Sequence, residues 1–198
     1  MILALIGLPG SGKWVISKWL ASQYGFKVFT PGAEFRKLAS KDPQLAQILN
    51  EGKLVPPHIA QKALGDFLKK HKEAKIVLDG YPRNLEQKEI LEKHTKDYLG
   101  IYLKITPKIA FQRVATAMYN PITNERFPAH FTHDPKTGIK LQKRWDDNPQ
   151  ALQKRIETFN TQTVPLIKKL ETENKLKIID ASLPLEQVKK QILNIIRL

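Results

Sequence analysis

The chain has no cysteine among its 198 residues, which excludes disulfide bonds and any metal centre built on thiolates. No apolar stretch approaches the roughly 18 residues needed to cross a bilayer. Internal repeats and low-complexity tracts are also missing, so the pattern is that of one globular unit. Acidic residues are scarce, with 19 Asp and Glu against 33 Lys and Arg, for a formal charge of +14. A clustered basic block interleaved with aromatics would point to nucleic acid. Here the lysines are spread along the whole chain. A solvated basic surface around an anion-binding site is therefore the better reading, and nucleic acid is not an expected partner.

Short apolar runs occur at residues 2–6, 76–78, 101–105 and 176–179, with a weaker one at 27–29. Runs of this length suit strands of a parallel sheet buried on both faces. Helical periods fall between them, at about 13–24, 57–71, 85–94, 107–118, 149–171 and 185–196. Pro107 and Pro149 stand at first-turn positions, where a missing N–H costs nothing. The alternation predicts an α/β fold with a doubly wound parallel sheet of about five strands. The run 2–6 lacks a basic leader region and leads straight into a glycine-rich loop, so it reads as a buried strand. A cytoplasmic protein follows as the default expectation.

Two segments break the alternation. Residues 30–56 read as helix and loop without a strand. Residues 119–143 are rich in Pro, Thr, Asn, His and Gly without a period, as in a functional loop. The expected organisation is a core of 1–29, 57–118 and 144–198, a small helical insertion at 30–56 and a lid at 119–143.

The glycine-rich loop is Gly7-Leu8-Pro9-Gly10-Ser11-Gly12-Lys13. Set between a strand and a helix, it is a phosphate cradle: backbone N–H groups ring the phosphates and the lysine reaches the terminal ones. The hydroxyl that usually follows the lysine and ligates Mg²⁺ is missing, because Trp14 and Val15 come next. A second segment, Asp79-Gly80-Tyr81-Pro82-Arg83, closes a strand with an acid and opens a helix with an arginine. Ligands of open α/β sheets bind beyond the carboxyl ends of the strands, so Asp79 is expected near the loop, holding Mg²⁺ through water. His130, His133 and Asp134 lie close in sequence, but without thiolates a solvated loop is the better reading than a structural zinc site.

With these segments, Gly52-Lys53-Leu54-Val55-Pro56, Gln87, Arg144-Trp145-Asp146-Asp147 and Arg155, the chain resembles the adenylate kinase family of P-loop nucleoside monophosphate kinases nearly end to end. The resemblance implies reversible phosphoryl transfer from ATP to a nucleoside monophosphate, with Mg²⁺, giving two diphosphates. It implies that Lys13 follows the transferred group, that Arg36 and Arg83 hold the acceptor phosphate, and that Gln87 hydrogen-bonds the acceptor base. The backbone around Val55 and Gly80 flanks that acceptor, Gly32 is a further nucleotide-binding residue, and Gly7, Pro9, Gly10, Ser11 and Gly12 hold the donor phosphates. Arg113 resembles a lid-hinge arginine over the donor, Arg144 and Arg155 a pair closing over both phosphates, and Asp146 and Asp147 lid-anchoring acids. Gln87 favours AMP as acceptor, with the uridine, cytidine and guanosine monophosphates left open. A monomer is expected.

The chain departs from the family pattern at Trp14, Val15, Pro31, Ala33 and Ala117, each removing a polar contact near phosphate, metal or acceptor base. Lys13, Asp79 and the arginines remain, which favours an enzyme, of reduced activity if the losses add, over a catalytically impaired nucleotide-binding or regulatory protein.

Overall fold

The computed structural model describes the chain except residues 41, 52, 54, 124, 128–129, 145–147 and 197–198. For residues 33, 34, 37 and 38 it describes the backbone alone.

Five parallel strands form the central sheet: β1 (Ile2–Ile6), β2 (Lys27–Phe29), β3 (Ile76–Asp79), β4 (Leu99–Lys104) and, later in the chain, β7 (Leu176–Asp180), in the order β2-β3-β1-β4-β7. The apolar runs of the inner strands β1 and β3 are covered on both faces, whereas the edge strands β2 and β7, expected from sequence to be buried on both faces, keep exposed residues such as Lys27 and Ile178. Leu3, Ala4, Leu5 and Ile6 of β1 are all buried, as are Ile76, Val77 and Leu78 of β3. Helices α1 (Lys13–Tyr24), α4 (Pro57–Lys70), α5 (Leu85–Glu92), α6 (Pro107–Ala115), α7 (Pro149–Thr158), α8 (Val164–Thr172) and α9 (Leu185–Ile196) flank the sheet. The register pairs Leu5 with Asp79, and Gly80 N–H donates to the Leu5 carbonyl at 3.0 Å. The chain therefore leaves β1 and β3 side by side, and the two chemistry-bearing segments start from adjacent points.

The irregular stretches have more structure than their sequences suggest. Residues 30–56 contain α2 (Pro31–Ala39) and α3 (Pro43–Asn50), the latter capped by Asp42, whose carboxylate accepts from Gln44 and Leu45 N–H. Beyond α6 a short antiparallel pair forms from β5 (Met118–Tyr119) and β6 (Arg126–Phe127). Met118 is thus strand, not the end of a helix: α6 stops at Ala115, where the Thr116 hydroxyl bonds back to the Gln112 carbonyl.

The predicted helix 149–171 is also interrupted. α7 begins with Asn148 as cap and Pro149 at the first turn, then passes into a π-helical turn, Phe159–Thr163, before α8. π-helical turns are rare and cluster at functional sites. This one aims the buried Thr163 hydroxyl at the Arg83 carbonyl, 2.7 Å away.

Candidate active site

A cleft of about 390 Å³ opens where β1 and β3 end, a size within the usual range for small-molecule sites. One wall is the loop from Gly7 to Lys13, and its shape depends on glycine. A Cβ on Gly7 would lie 2.7 Å from the Leu103 carbonyl oxygen, and Gly12 adopts φ 96°, a left-handed conformation. The Lys13 ammonium folds over the loop and donates to the carbonyls of Gly7 (2.8 Å) and Leu8 (3.0 Å).

The opposite wall comes from β3 and the start of α5. Asn84 caps α5 by accepting from Gln87 N–H at 2.8 Å. The Gln87 side-chain oxygen then accepts from Arg83 N–H at 2.8 Å, and Arg83 Nε donates to the Gly80 carbonyl at 2.8 Å. Arg83 is thereby held from three sides: by Gly80, Gln87 and Thr163. With one lone pair of the Gln87 oxygen engaged by Arg83, its two amide N–H groups are its donors toward a ligand.

Charge in the cleft is lopsided. Asp79 is buried there beside Lys13, with Arg36, Arg83, Arg126, Arg144 and Arg155 also on the walls. Burial lowers the Lys13 ammonium to about 8; Asp79 opposes the fall, while Arg83, Arg126 and Arg155 add to it. Burial raises the Asp79 carboxyl, against the pull of Lys13, Arg83 and Arg36. Crowding by protein atoms and the Arg155 cation lower the Arg83 guanidinium, although part of the side chain still meets solvent. A site of this kind has an unmet demand for negative charge.

The residues expected from sequence converge well. Gly7, Pro9, Gly12, Lys13, Gly32, Arg36, Val55, Asp79, Gly80, Arg83, Gln87, Arg144 and Arg155 all line this cleft. Gly10, Ser11 and Arg113 sit just behind it. Ser11 is buried beneath the loop, and Arg113 donates to the carbonyls of Gly10 (3.3 Å) and Ala181 (3.0 Å), locking α6 to the loop and to the end of β7. Gly52, Leu54, Asp146 and Asp147 lie outside the described residues, as do Trp145 and the side chain of Ala33.

The two positions after Lys13 stay in view: Trp14 and Val15 line the cleft, with Lys18 5.7 Å over the Trp14 ring. The other described tryptophan, Trp19, packs edge-on against Tyr24 at 5.4 Å.

Sequence reasoning missed Arg126, Tyr119 and Thr163. Tyr119 faces Arg126 across the β5–β6 pair, and the Arg144 guanidinium stacks on its ring at 4.5 Å. The Arg-Phe pair at 126–127 inside an aperiodic stretch was the available signal. In the same segment, Asp134 is buried and occupied: it accepts from Asn120 at 2.6 Å and from Lys136 N–H at 2.8 Å. Those bonds hold its carboxyl below the usual value although burial pulls the other way. No group of three or more metal-binding side chains is found among the described residues, nor is any described helix long and apolar enough to cross a membrane.

Residues 5–175 match the family model for adenylate kinase. The chain belongs to the adenylate kinase family. It is 33% identical to an adenylate kinase of Mesomycoplasma hyopneumoniae strain 7448, over 93% of each chain. It is 31% identical to one of Borreliella burgdorferi, over 98% of each. A third relative, the adenylate kinase of Ureaplasma parvum, is 32% identical over 100% of this chain and 99% of its own. Family membership makes the chain a nucleotide-binding phosphotransferase on a P-loop α/β fold.

Proposed function

We propose that the chain reversibly transfers the terminal phosphoryl group of ATP to a nucleoside monophosphate, with AMP the favoured acceptor, giving two diphosphates. The observation that carries this reading is the excess of cations over carboxylates on the cleft walls, where Asp79 is the one acid among the described residues. Phosphoryl transfer requires in-line positioning and neutralisation of spreading negative charge, with little covalent help. Guanidinium groups bind phosphate oxygens in planar pairs and stay charged at any working pH.

In this reading an oxygen of the acceptor phosphate attacks the terminal phosphorus as the bond to the bridging oxygen breaks. Gly7, Pro9, Gly10, Ser11 and Gly12 wrap the donor phosphates, and Lys13 travels with the transferred group. Arg36 and Arg83 hold the acceptor phosphate, with Gly32, Val55 and Gly80 beside the acceptor and the Gln87 amide on its base. Arg113 covers the donor nucleotide, and Arg144 and Arg155 close over both phosphate chains. Residues 30–56 serve as the acceptor-binding insertion and 119–143 as a lid whose closure excludes water.

Magnesium accompanies ATP in this reading, and the residues fit it. Asp79 is a buried carboxylate on the cleft wall, and Mg²⁺ keeps several waters while using one or two carboxylates and the substrate phosphates. With Trp14 and Val15 offering no hydroxyl, Asp79 would hold the ion through water. When bound, the ion neutralises charge on the donor phosphates.

A coupled diphosphate-release assay with ATP, Mg²⁺ and AMP, UMP, CMP or GMP in turn tests the proposal. Turnover greatest with AMP is expected. Tight nucleotide binding without turnover on any acceptor would replace the kinase reading with a nucleotide-binding regulatory one.

A further inference from the structure

Arg126 stands on β6 opposite Tyr119, and its Nη2 donates to the backbone carbonyl of Arg113. Arg113 lies in the last turn of α6 and itself donates to the Gly10 carbonyl of the phosphate loop. Arg126 therefore reaches the cleft from the phosphate-loop side. Arg36, Arg83 and Gln87 reach it from α2 and from the end of β3.

Its surroundings demand an anion. Among the described residues no carboxylate pairs with Arg126, and a single carbonyl satisfies only part of a guanidinium's donor fork. Cations lie close to it: it contributes to the lowering of Lys13 and of Arg113. A surface arginine in this position would turn to water. Instead the Arg113 carbonyl fixes it on the wall of the cleft, which Lys13 and Arg155 also line. Bidentate phosphate binding is what such a fork does best.

We infer that Arg126 is a binding residue for the triphosphate of the donor nucleotide, reaching it from the β5–β6 pair and anchored on the Arg113 carbonyl. The identity of the donor rests on the kinase reading above. Its position predicts selectivity: loss of Arg126 should weaken ATP and leave the monophosphate nearly untouched, because Arg36 and Arg83 serve the other end of the cleft.

The test is calorimetric titration of the full chain with ATP and, separately, with AMP, for the parent, Arg126→Ala and Arg126→Lys. Loss of a charge-assisted contact should weaken ATP about ten- to a hundredfold, with AMP within about twofold and Arg126→Lys recovering part of the loss. Should Arg126→Ala melt early, Arg126→Gln carries the same test, since it retains a donor for the Arg113 carbonyl. ATP affinity within about twofold of the parent, or equal weakening of ATP and AMP, overturns the assignment. Turnover of the parent judges the kinase reading separately. A parent that binds ATP without transferring phosphate sinks that reading, while an ATP-selective loss in Arg126→Ala still supports the contact.

Discussion

The chain holds two clusters of partly or fully buried charge, at opposite ends of the sheet. Beyond the carboxyl ends of β1 and β3, Lys13 and several arginines surround Asp79, the one carboxylate there among the described residues. Before the amino ends of β4 and β7, acids and bases balance. Lys88 pairs with Glu92 at 2.8 Å and Glu173 at 3.0 Å, Lys175 pairs with Glu92 at 3.1 Å, and the Tyr98 hydroxyl donates to Glu92 at 3.0 Å. Burial pulls against Glu92 ionisation, yet the bonds from Lys88, Lys175 and Tyr98 take its carboxyl down to about 2. In the cleft, burial and the neighbouring arginines press Lys13 down to about 8. The balanced cluster joins α5, α8, β4 and β7; the cationic one leaves its demand for negative charge to a ligand. α5 belongs to both, with Gln87 facing the cleft and Lys88 the network.

Three results would break or sharpen this contrast. The largest effect is expected for Arg83→Ala. Removing a positioned charge-stabilising group typically costs about 10²–10³ in rate, and the same loss in the coupled assay should leave the melting temperature near the parent's. A fold that collapses instead would place Arg83 with the structural cluster.

Second comes Glu92→Gln. Its folded-state pKa lies below the ordinary carboxylate value, so its stabilisation is present above about pH 4.5 and is lost as pH falls toward 2. Glu92→Gln should lower stability by about 2 kcal/mol at pH 7, and the gap from the parent should close in urea unfolding curves taken toward pH 2. Turnover should change little. The smallest effect concerns Lys13. Nucleotide phosphates hold it charged while the free protein releases its proton near pH 8. ATP affinity should therefore fall as pH rises above about 8, by at most about tenfold per unit. A flat profile in calorimetry between pH 8 and 9.5 would mean that Lys13 is not driven toward neutrality.

Much of this was legible beforehand, for physical reasons. β1, β2, α1 and α9 were read to their observed ends; β1 is a continuous apolar run because both its faces are buried, and α9 shows the period of one buried face. The glycine loop, Asp79, Arg83 and Gln87 were legible because their spacing is tied to the strand–turn–helix geometry that presents them. What escaped was whatever leaves no period. β5 and β6 are two residues each, too short to alternate. The π-helical turn Phe-Asn-Thr-Gln-Thr contains neither Pro nor Gly, and its Thr163 hydroxyl meets the carbonyl of Arg83, a residue distant in the chain. Arg126 and Tyr119 are lone residues in an aperiodic stretch, placed by the pairing of β5 with β6 and by the Arg113 carbonyl.

The most direct test sets one lysine from each cluster against the other: turnover with ATP, Mg²⁺ and AMP, per folded molecule, for Lys13→Ala and Lys88→Ala. Lys13→Ala should lose at least about 10² in rate, and Lys88→Ala should stay within about fivefold of the parent while melting earlier. Equal losses in the two variants, or full activity without Lys13, would contradict the division between a cluster that binds phosphate and a cluster that holds the fold.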